Sequence, residues 1–133
     1  MDYQSHALIS ARKFNCYPED VVFFHKLMDS TKIHFPQGWQ HRMFSHNTWF
    51  IETIMTLFTE LTGKDYVKNT KIGNHILIRD ILIEHLKEDF SGKIPDLKDW
   101  LNCVQFNTNE KWINNPDRKE IIYLKSLNVH NEI

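Results

Sequence analysis

The chain has 133 residues and a formal net charge of -1 at pH 7, so no overall positive field draws it to nucleic acid. Its length and its 41% hydrophobic content suit one globular domain with its own core. Without a run of 18 apolar residues or a signal peptide, we expect a cytoplasmic protein and no membrane partner. Cys16 and Cys103 are too few for a disulfide framework, so we expect buried free thiols.

Helical periodicity dominates the first half of the chain. Ser5 can cap a first helix that runs to about Lys13, and Pro18 begins a second, to about Asp29, because proline suits the first helical position. A third and longest helix spans about residues 39–62 and ends at Gly63. Its broad apolar face predicts that it is the central core element.

The second half predicts a hairpin and further helices. Gly73-Asn74 suits a two-residue turn within residues 66–78. A fourth helix follows at about 79–89, Asp96 can cap a fifth, and a last short helix is predicted for Arg118 to Leu127. We therefore expect a mainly α fold, a compact helical bundle around the third helix, with a small β-hairpin. Residues 1–112 would form one helical domain, and residues 113–133 a polar C-terminal extension packed on it.

Histidines near acids are the main sign of chemistry, because the sequence lacks a P-loop, a dinucleotide turn and a nucleophile elbow. On the fourth helix, His85 and Asp89 share the apolar face, and a spacing of four places them one above the other. Burying an ionised carboxylate without a partner is very costly. A metal ion, a protonated His85 or an arginine could compensate Asp89; the alternative is a plain His–Asp hydrogen bond.

His41 and His46 lie five residues apart, so one regular helix does not place both on one face. They converge on one ion only if the helix begins after His41 or is kinked near Asn47. The apolar neighbours of His46 favour a packed core histidine, while for His41 a ligand and a structural role stay equally open.

The other histidines divide by their surroundings. His25 shares an apolar stripe, which favours the core, and His6 lies on a polar edge, where a surface position is favoured over a ligand. His34 is in a loop that could reach a site. Arg42 and Arg79 suit a clamp for phosphate or carboxylate, with an ordinary ion pair as the alternative.

Several motifs follow one another in a characteristic order: residues 6–10, 13–14, 18–20, 25, 29, 32–35, 41–42, 46, 79, 84–89 and 92–101. In these motifs, from about His6 to Trp112, the chain resembles a family of short, uncharacterised phage and bacterial proteins. Its relatives have His-Arg-Ala-Leu-Arg-His-His where this chain has His-Arg-Met-Phe-Ser-His-Asn at 41–47. The resemblance implies a fold and a site without implying a reaction.

The order of the histidines and acids also resembles, by analogy, helical metal phosphohydrolases of the His-Asp type. Those proteins carry an adjacent His-Asp pair, whereas His41 is followed by Arg42. We expect a protein that binds a divalent metal (zinc, manganese or iron) through His41, His85 and Asp89, with His6, His34 or His46 completing the set.

Such a centre could be a metal-dependent phosphoester hydrolase. In that hypothesis Arg42 and Arg79 bind the anionic substrate, and Glu88 orients water or a ligand. The alternative is a non-enzymatic phage accessory protein that binds and blocks a host protein or sequesters a small anionic ligand. In both cases the cytoplasm would be that of the bacterial host if a phage encodes the chain. A homo-oligomer stays open, since a second subunit could complete a site.

Overall fold

The structure, a computed structural model, describes residues 1–33 and 40–106, of which 40, 41 and 104–106 are described by backbone alone. This part of the chain contains six α-helices and one small two-stranded sheet. In chain order the elements are α1 Tyr3–Phe14, α2 Pro18–Met28, a 3₁₀ turn Ser30–Ile33, α3 Gln40–Ser45, α4 Thr48–Thr62, β1 Tyr66–Lys68, β2 His75–Leu77, α5 Ile78–Asp89 and α6 Leu97–Phe106.

The predicted mainly α fold with a small hairpin is confirmed. The predicted last helix and the extension over 113–133 lie outside the described residues. None of the described helices combines the length and the apolar composition needed to cross a membrane.

Helices α1 and α2 pack against each other along the start of the chain. Asp2, and not Ser5 as predicted, caps α1, because its Oδ1 accepts a hydrogen bond from the Ser5 amide at 2.7 Å. Asn15 ends the helix in the left-handed region, with φ 49°. The predicted start of α2 at Pro18 is confirmed.

The predicted helix over 39–62 is interrupted at His46 and Asn47, so the prediction of one continuous helix is wrong there. Asn47 has an extended backbone, and its Oδ1 accepts from the Phe50 amide at 2.8 Å as the N-cap of α4. Its Nδ2 donates to the Met43 carbonyl at 2.8 Å. Asn47 thus joins the end of α3 to the start of α4, and the break leaves His46 fully buried.

The hairpin pairs β1 and β2 antiparallel, with Lys68 opposite His75. Its loop therefore spans residues 69–74 and is longer than the predicted two-residue turn. Asn69 organises this loop: its Oδ1 accepts from the Lys71 amide at 3.0 Å, and its Nδ2 donates to the Phe14 carbonyl at 3.2 Å. One side-chain amide therefore shapes the loop and ties it to the end of α1.

Helix α5 holds the central position that was predicted for the third helix. It packs against α1, α2 and α4, and four of its apolar side chains are completely buried: Ile78, Ile81, Leu82 and Leu86. By comparison, α4 buries only Ile51 and Met55. The last turns of α5 consequently lie in the middle of the core, where polar side chains need partners.

Candidate metal centre

Three separate parts of the fold bring polar side chains together inside the core. Asp29 follows the end of α2, His46 lies at the break between α3 and α4, and His85 and Asp89 occupy the last turns of α5. The side chains of these four residues, which we call the metal cluster, are no more than 7% exposed. Their burial means that solvent does not satisfy them, so their mutual geometry decides their chemistry.

One atom from each residue faces the same point. The Nε2 of His46 lies 2.9 Å from Asp89 Oδ2, 3.1 Å from His85 Nε2 and 3.5 Å from Asp29 Oδ1. The Nε2 of His85 lies 3.3 Å from each of the two carboxylate oxygens. Atoms that surround one ion tetrahedrally at 2.0–2.2 Å are about 3.3–3.6 Å apart. The four donors could therefore hold a metal ion after small outward shifts.

Both carboxylates of the cluster are in the ionised form that a metal requires. Burial alone would raise the pKa of Asp29, but hydrogen bonds from His46 and His85 lower it well below its usual value. Burial acts the same way on Asp89, and hydrogen bonds from His46, His6 and His85 again lower the pKa far more. Two ionised carboxylates would neutralise a divalent cation inside the core.

The imidazole nitrogens that face away from the cluster all have partners. His46 Nδ1 lies 2.9 Å from Ser45 Oγ, and His85 Nδ1 lies 2.8 Å from His25 Nδ1. The Nε2 of His25 in turn lies 2.7 Å from Ser10 Oγ. Burial, with His85 and His6, lowers the pKa of His25 to about 3, so His25 is neutral and can accept from His85. Such outer hydrogen bonds fix the tautomer that presents Nε2 to a metal.

His6 binds the outer side of the cluster. Its Nε2 lies 3.1 Å from Asp89 Oδ1, and its Nδ1 contacts Glu88 Oε2. Burial by itself would lower the pKa of His6, but hydrogen bonds to Asp89 and Glu88 raise it to about 9. His6 is thus a buried imidazolium between two carboxylates.

A second group of nitrogens, from His6, His25 and His85, is also close enough to suggest a metal. The His6 and His85 rings are stacked, however, with centroids 3.8 Å apart and planes inclined by 28°. The lone pair of a ring nitrogen lies in the ring plane, so stacked rings do not direct their lone pairs to one point. This group therefore supports the cluster from outside.

The structure brings three of the predicted ligands, His46, His85 and Asp89, into one cluster. A fourth, His6, contacts Asp89, and Glu88 contacts the other ring nitrogen of His6. His34 and the side chain of His41 lie outside the described part of the chain.

The two predicted anion-binding arginines are placed differently. The Arg42 guanidinium carbon lies 6.0 Å from the centroid of the Phe90 ring, which follows Asp89. Arg79 makes an exposed bidentate ion pair with Glu52, with N–O distances of 3.1 and 2.9 Å. The structure thus gives Arg79 the ordinary ion pair that was the alternative to an anion clamp.

Sequence reasoning missed Asp29 as a cluster residue. The signal was available in its spacing, because His25 and Asp29 are four apart at the end of α2, as His85 and Asp89 are on α5. Two His-x-x-x-Asp pairs on helices that pack together would have pointed to a shared site.

A family model described as a domain of unknown function, DUF6915, matches residues 1–113. No curated protein and no solved structure matches the chain. The resemblance to a family without an assigned function is thereby confirmed, while a phage or bacterial origin stays a prediction.

Proposed function

The chain belongs to the DUF6915 family, and we propose that it binds one divalent transition-metal ion through Asp29, His46, His85 and Asp89. The observation that carries this proposal is the set of five distances, 2.9–3.5 Å, among donor atoms from three parts of the fold. Imidazole nitrogen together with carboxylate oxygen suits zinc, iron or manganese.

Charge supports the same proposal. Two ionised carboxylates buried side by side repel each other and lose their hydration. The buried His6 contacts Asp89 through Oδ1, at 3.1 Å, whereas Oδ2 is the Asp89 oxygen that lies near His46 and His85. A dication among the four donors would compensate both carboxylates at once. It would also link α2, the break between α3 and α4, and α5.

Burial favours a non-catalytic role for such an ion. The four ligand side chains are almost completely enclosed, and four protein ligands complete a tetrahedral site of the structural kind. We therefore propose a metal-stabilised binding module, in line with an accessory protein that grips a host protein or a small anionic ligand.

A second candidate is metal-dependent hydrolysis of phosphoesters, which the ligand set favours. Two imidazoles and two carboxylates leave two positions open on a six-coordinate ion, enough for a water molecule and a phosphate oxygen. Loading the protein with manganese or iron and assaying bis(p-nitrophenyl) phosphate tests this candidate. Turnover that disappears in Asp29→Asn would support it, and no turnover by fully loaded protein would reject it.

Metal analysis of protein purified without a histidine tag tests the binding proposal itself. We expect close to one equivalent of metal in the wild type and its loss in His85→Ala. His75→Ala is the matched control, because His75 lies on β2 and stacks on Tyr66 away from the cluster. Wild-type protein that is metal-free, takes up no added zinc and melts identically with a chelator would contradict the proposal.

A further inference from the structure

We infer that the metal cluster selects a tetrahedral dication such as zinc. His6 and Lys32 determine this selectivity, because they keep the coordination of Asp89 and Asp29 monodentate. This inference rests on the proposed function and adds the identity of the ion and the residues that determine it. It is based on the partners of the outer oxygen of each aspartate, by which we mean the oxygen that is not near the two Nε2 atoms: Oδ1 of Asp89 and Oδ2 of Asp29.

The outer oxygen of Asp89 is engaged by His6. Asp89 Oδ2 faces the other three donors, while Oδ1 lies 3.1 Å from His6 Nε2. The second nitrogen of His6 contacts Glu88, and the His6 side chain is completely buried. His6 is therefore held at both ring nitrogens and cannot release Oδ1 without breaking a buried charge-assisted hydrogen bond.

The outer oxygen of Asp29 faces a second cation. Asp29 Oδ1 points to His46 and His85, and Oδ2 lies 3.6 Å from Lys32 Nζ. Lys32 is in the 3₁₀ turn that directly follows α2, and its side chain is 44% exposed. Oδ2 is buried and accepts no hydrogen bond from the described residues. Attraction to the ammonium would keep Oδ2 away from the ion and leave Oδ1 as the single ligand atom of Asp29.

One-oxygen coordination limits the number of donors to four. Calcium takes six to eight oxygen ligands, often from bidentate carboxylates, and magnesium requires near-octahedral coordination by oxygen. Neither finds enough oxygen here. Zinc accepts four nitrogen and oxygen donors at 2.0–2.2 Å, a geometry that the cluster reaches after small outward shifts of its donor atoms.

Cobalt(II) reports this geometry directly, because tetrahedral cobalt absorbs visible light far more strongly than octahedral cobalt. Full-length protein would be stripped of metal, titrated with cobalt and then with zinc or magnesium as competitors. We expect a strong visible band that zinc abolishes and that an excess of magnesium leaves unchanged. A weak octahedral spectrum would overturn the inference while leaving metal binding intact; no binding of cobalt or zinc would overturn the proposed function as well.

Variants of the two outer cations test their role. His6→Leu should weaken the visible band and reduce the preference for zinc over magnesium by about tenfold or more, and His6→Gln, which restores an N–H donor, should recover part of both. Since His6→Leu could unfold the core, Lys32→Ala provides an exposed site, with Lys26→Ala on the surface of α2 as its control. Lys32→Ala should weaken the band and lower the zinc preference, whereas Lys26→Ala should do neither. Unchanged spectra and selectivity in Lys32→Ala and in folded His6→Leu would overturn the inference.

Discussion

His46 and His85 approach each other to 3.1 Å between their Nε2 atoms, although 39 residues separate them in the chain. The contact is one link in a continuous series of buried side chains, Ser10, His25, His85, His46 and Ser45, joined by distances of 2.7–3.1 Å. An ion in the metal cluster would bind both Nε2 atoms, and each histidine would keep the outer partner of its Nδ1 atom.

The outer partner of His85 should control metal affinity. His25→Phe keeps a ring of similar size but removes the acceptor for His85 Nδ1. Loss of such a partner typically weakens metal binding by about 10–100-fold, and we expect that loss in zinc competition titrations. His75→Phe on the hairpin is the control, and equal affinity in the two variants would argue against a role for His25.

Metal affinity should fall in acid. Protons compete with the ion for Nε2 of His46 and His85, and imidazole must be neutral to bind a metal. Protonation of Asp29 and Asp89 does not add to this pH dependence of metal affinity, because the pKa of each carboxyl is held far below its usual value. Zinc affinity should therefore be lower in acid, by up to about tenfold per pH unit for each imidazole ligand. Equal affinities at pH 7.5 and pH 5.5 would exclude histidine ligands.

The hydrogen bond from Trp100 to the backbone of His46 should stabilise the folded protein. This fully buried side chain on α6 donates from Nε1 to the His46 carbonyl at 2.9 Å. Trp100→Phe removes the donor and leaves a buried carbonyl with one partner fewer, which should cost about 1–3 kcal/mol of unfolding free energy. Urea denaturation measures it, with Trp49→Phe as a control because Trp49 is 57% exposed. Equal losses in both variants would contradict this prediction.

Arg79 should contribute little to either stability or metal binding. Its ion pair with Glu52 joins side chains that are 50% and 60% exposed, and such pairs are worth about 0–1 kcal/mol. Arg79→Ala should therefore stay within about 1 kcal/mol of the wild type in urea denaturation and bind zinc with unchanged affinity. A tenfold loss of zinc affinity in Arg79→Ala would contradict this prediction and would indicate that Arg79 belongs to the metal site.

The sequence predicted the parts of the fold that local rules decide. Pro18 and Gly63 mark helix ends through their backbone preferences, and the spacing of His85 and Asp89 placed both on the buried face of α5. The break at His46 was harder to predict, since it depends on the Asn47 side chain outweighing a continuous apolar pattern.

The spacing of His25 and Asp29 was the local signal for Asp29, but it indicates a site only once the packing of α2 against α5 is known. At the end of a helix an aspartate is an ordinary surface residue, and only the packing of α2 against α5 turns it inward. Likewise, the polar edge of α1 suggested that His6 is exposed, whereas Glu88 and Asp89 supply the partners that allow its burial. The periodicity of a single helix does not show which charged groups from other helices will pair with its polar side chains and allow their burial.

Zinc-edge anomalous diffraction from crystals of the untagged, zinc-loaded protein tests the central claim most directly. We predict one strong peak about 2.0–2.2 Å from Asp29 Oδ1, His46 Nε2, His85 Nε2 and Asp89 Oδ2. A fully occupied zinc peak elsewhere, with these four atoms still in contact with one another, would contradict the account.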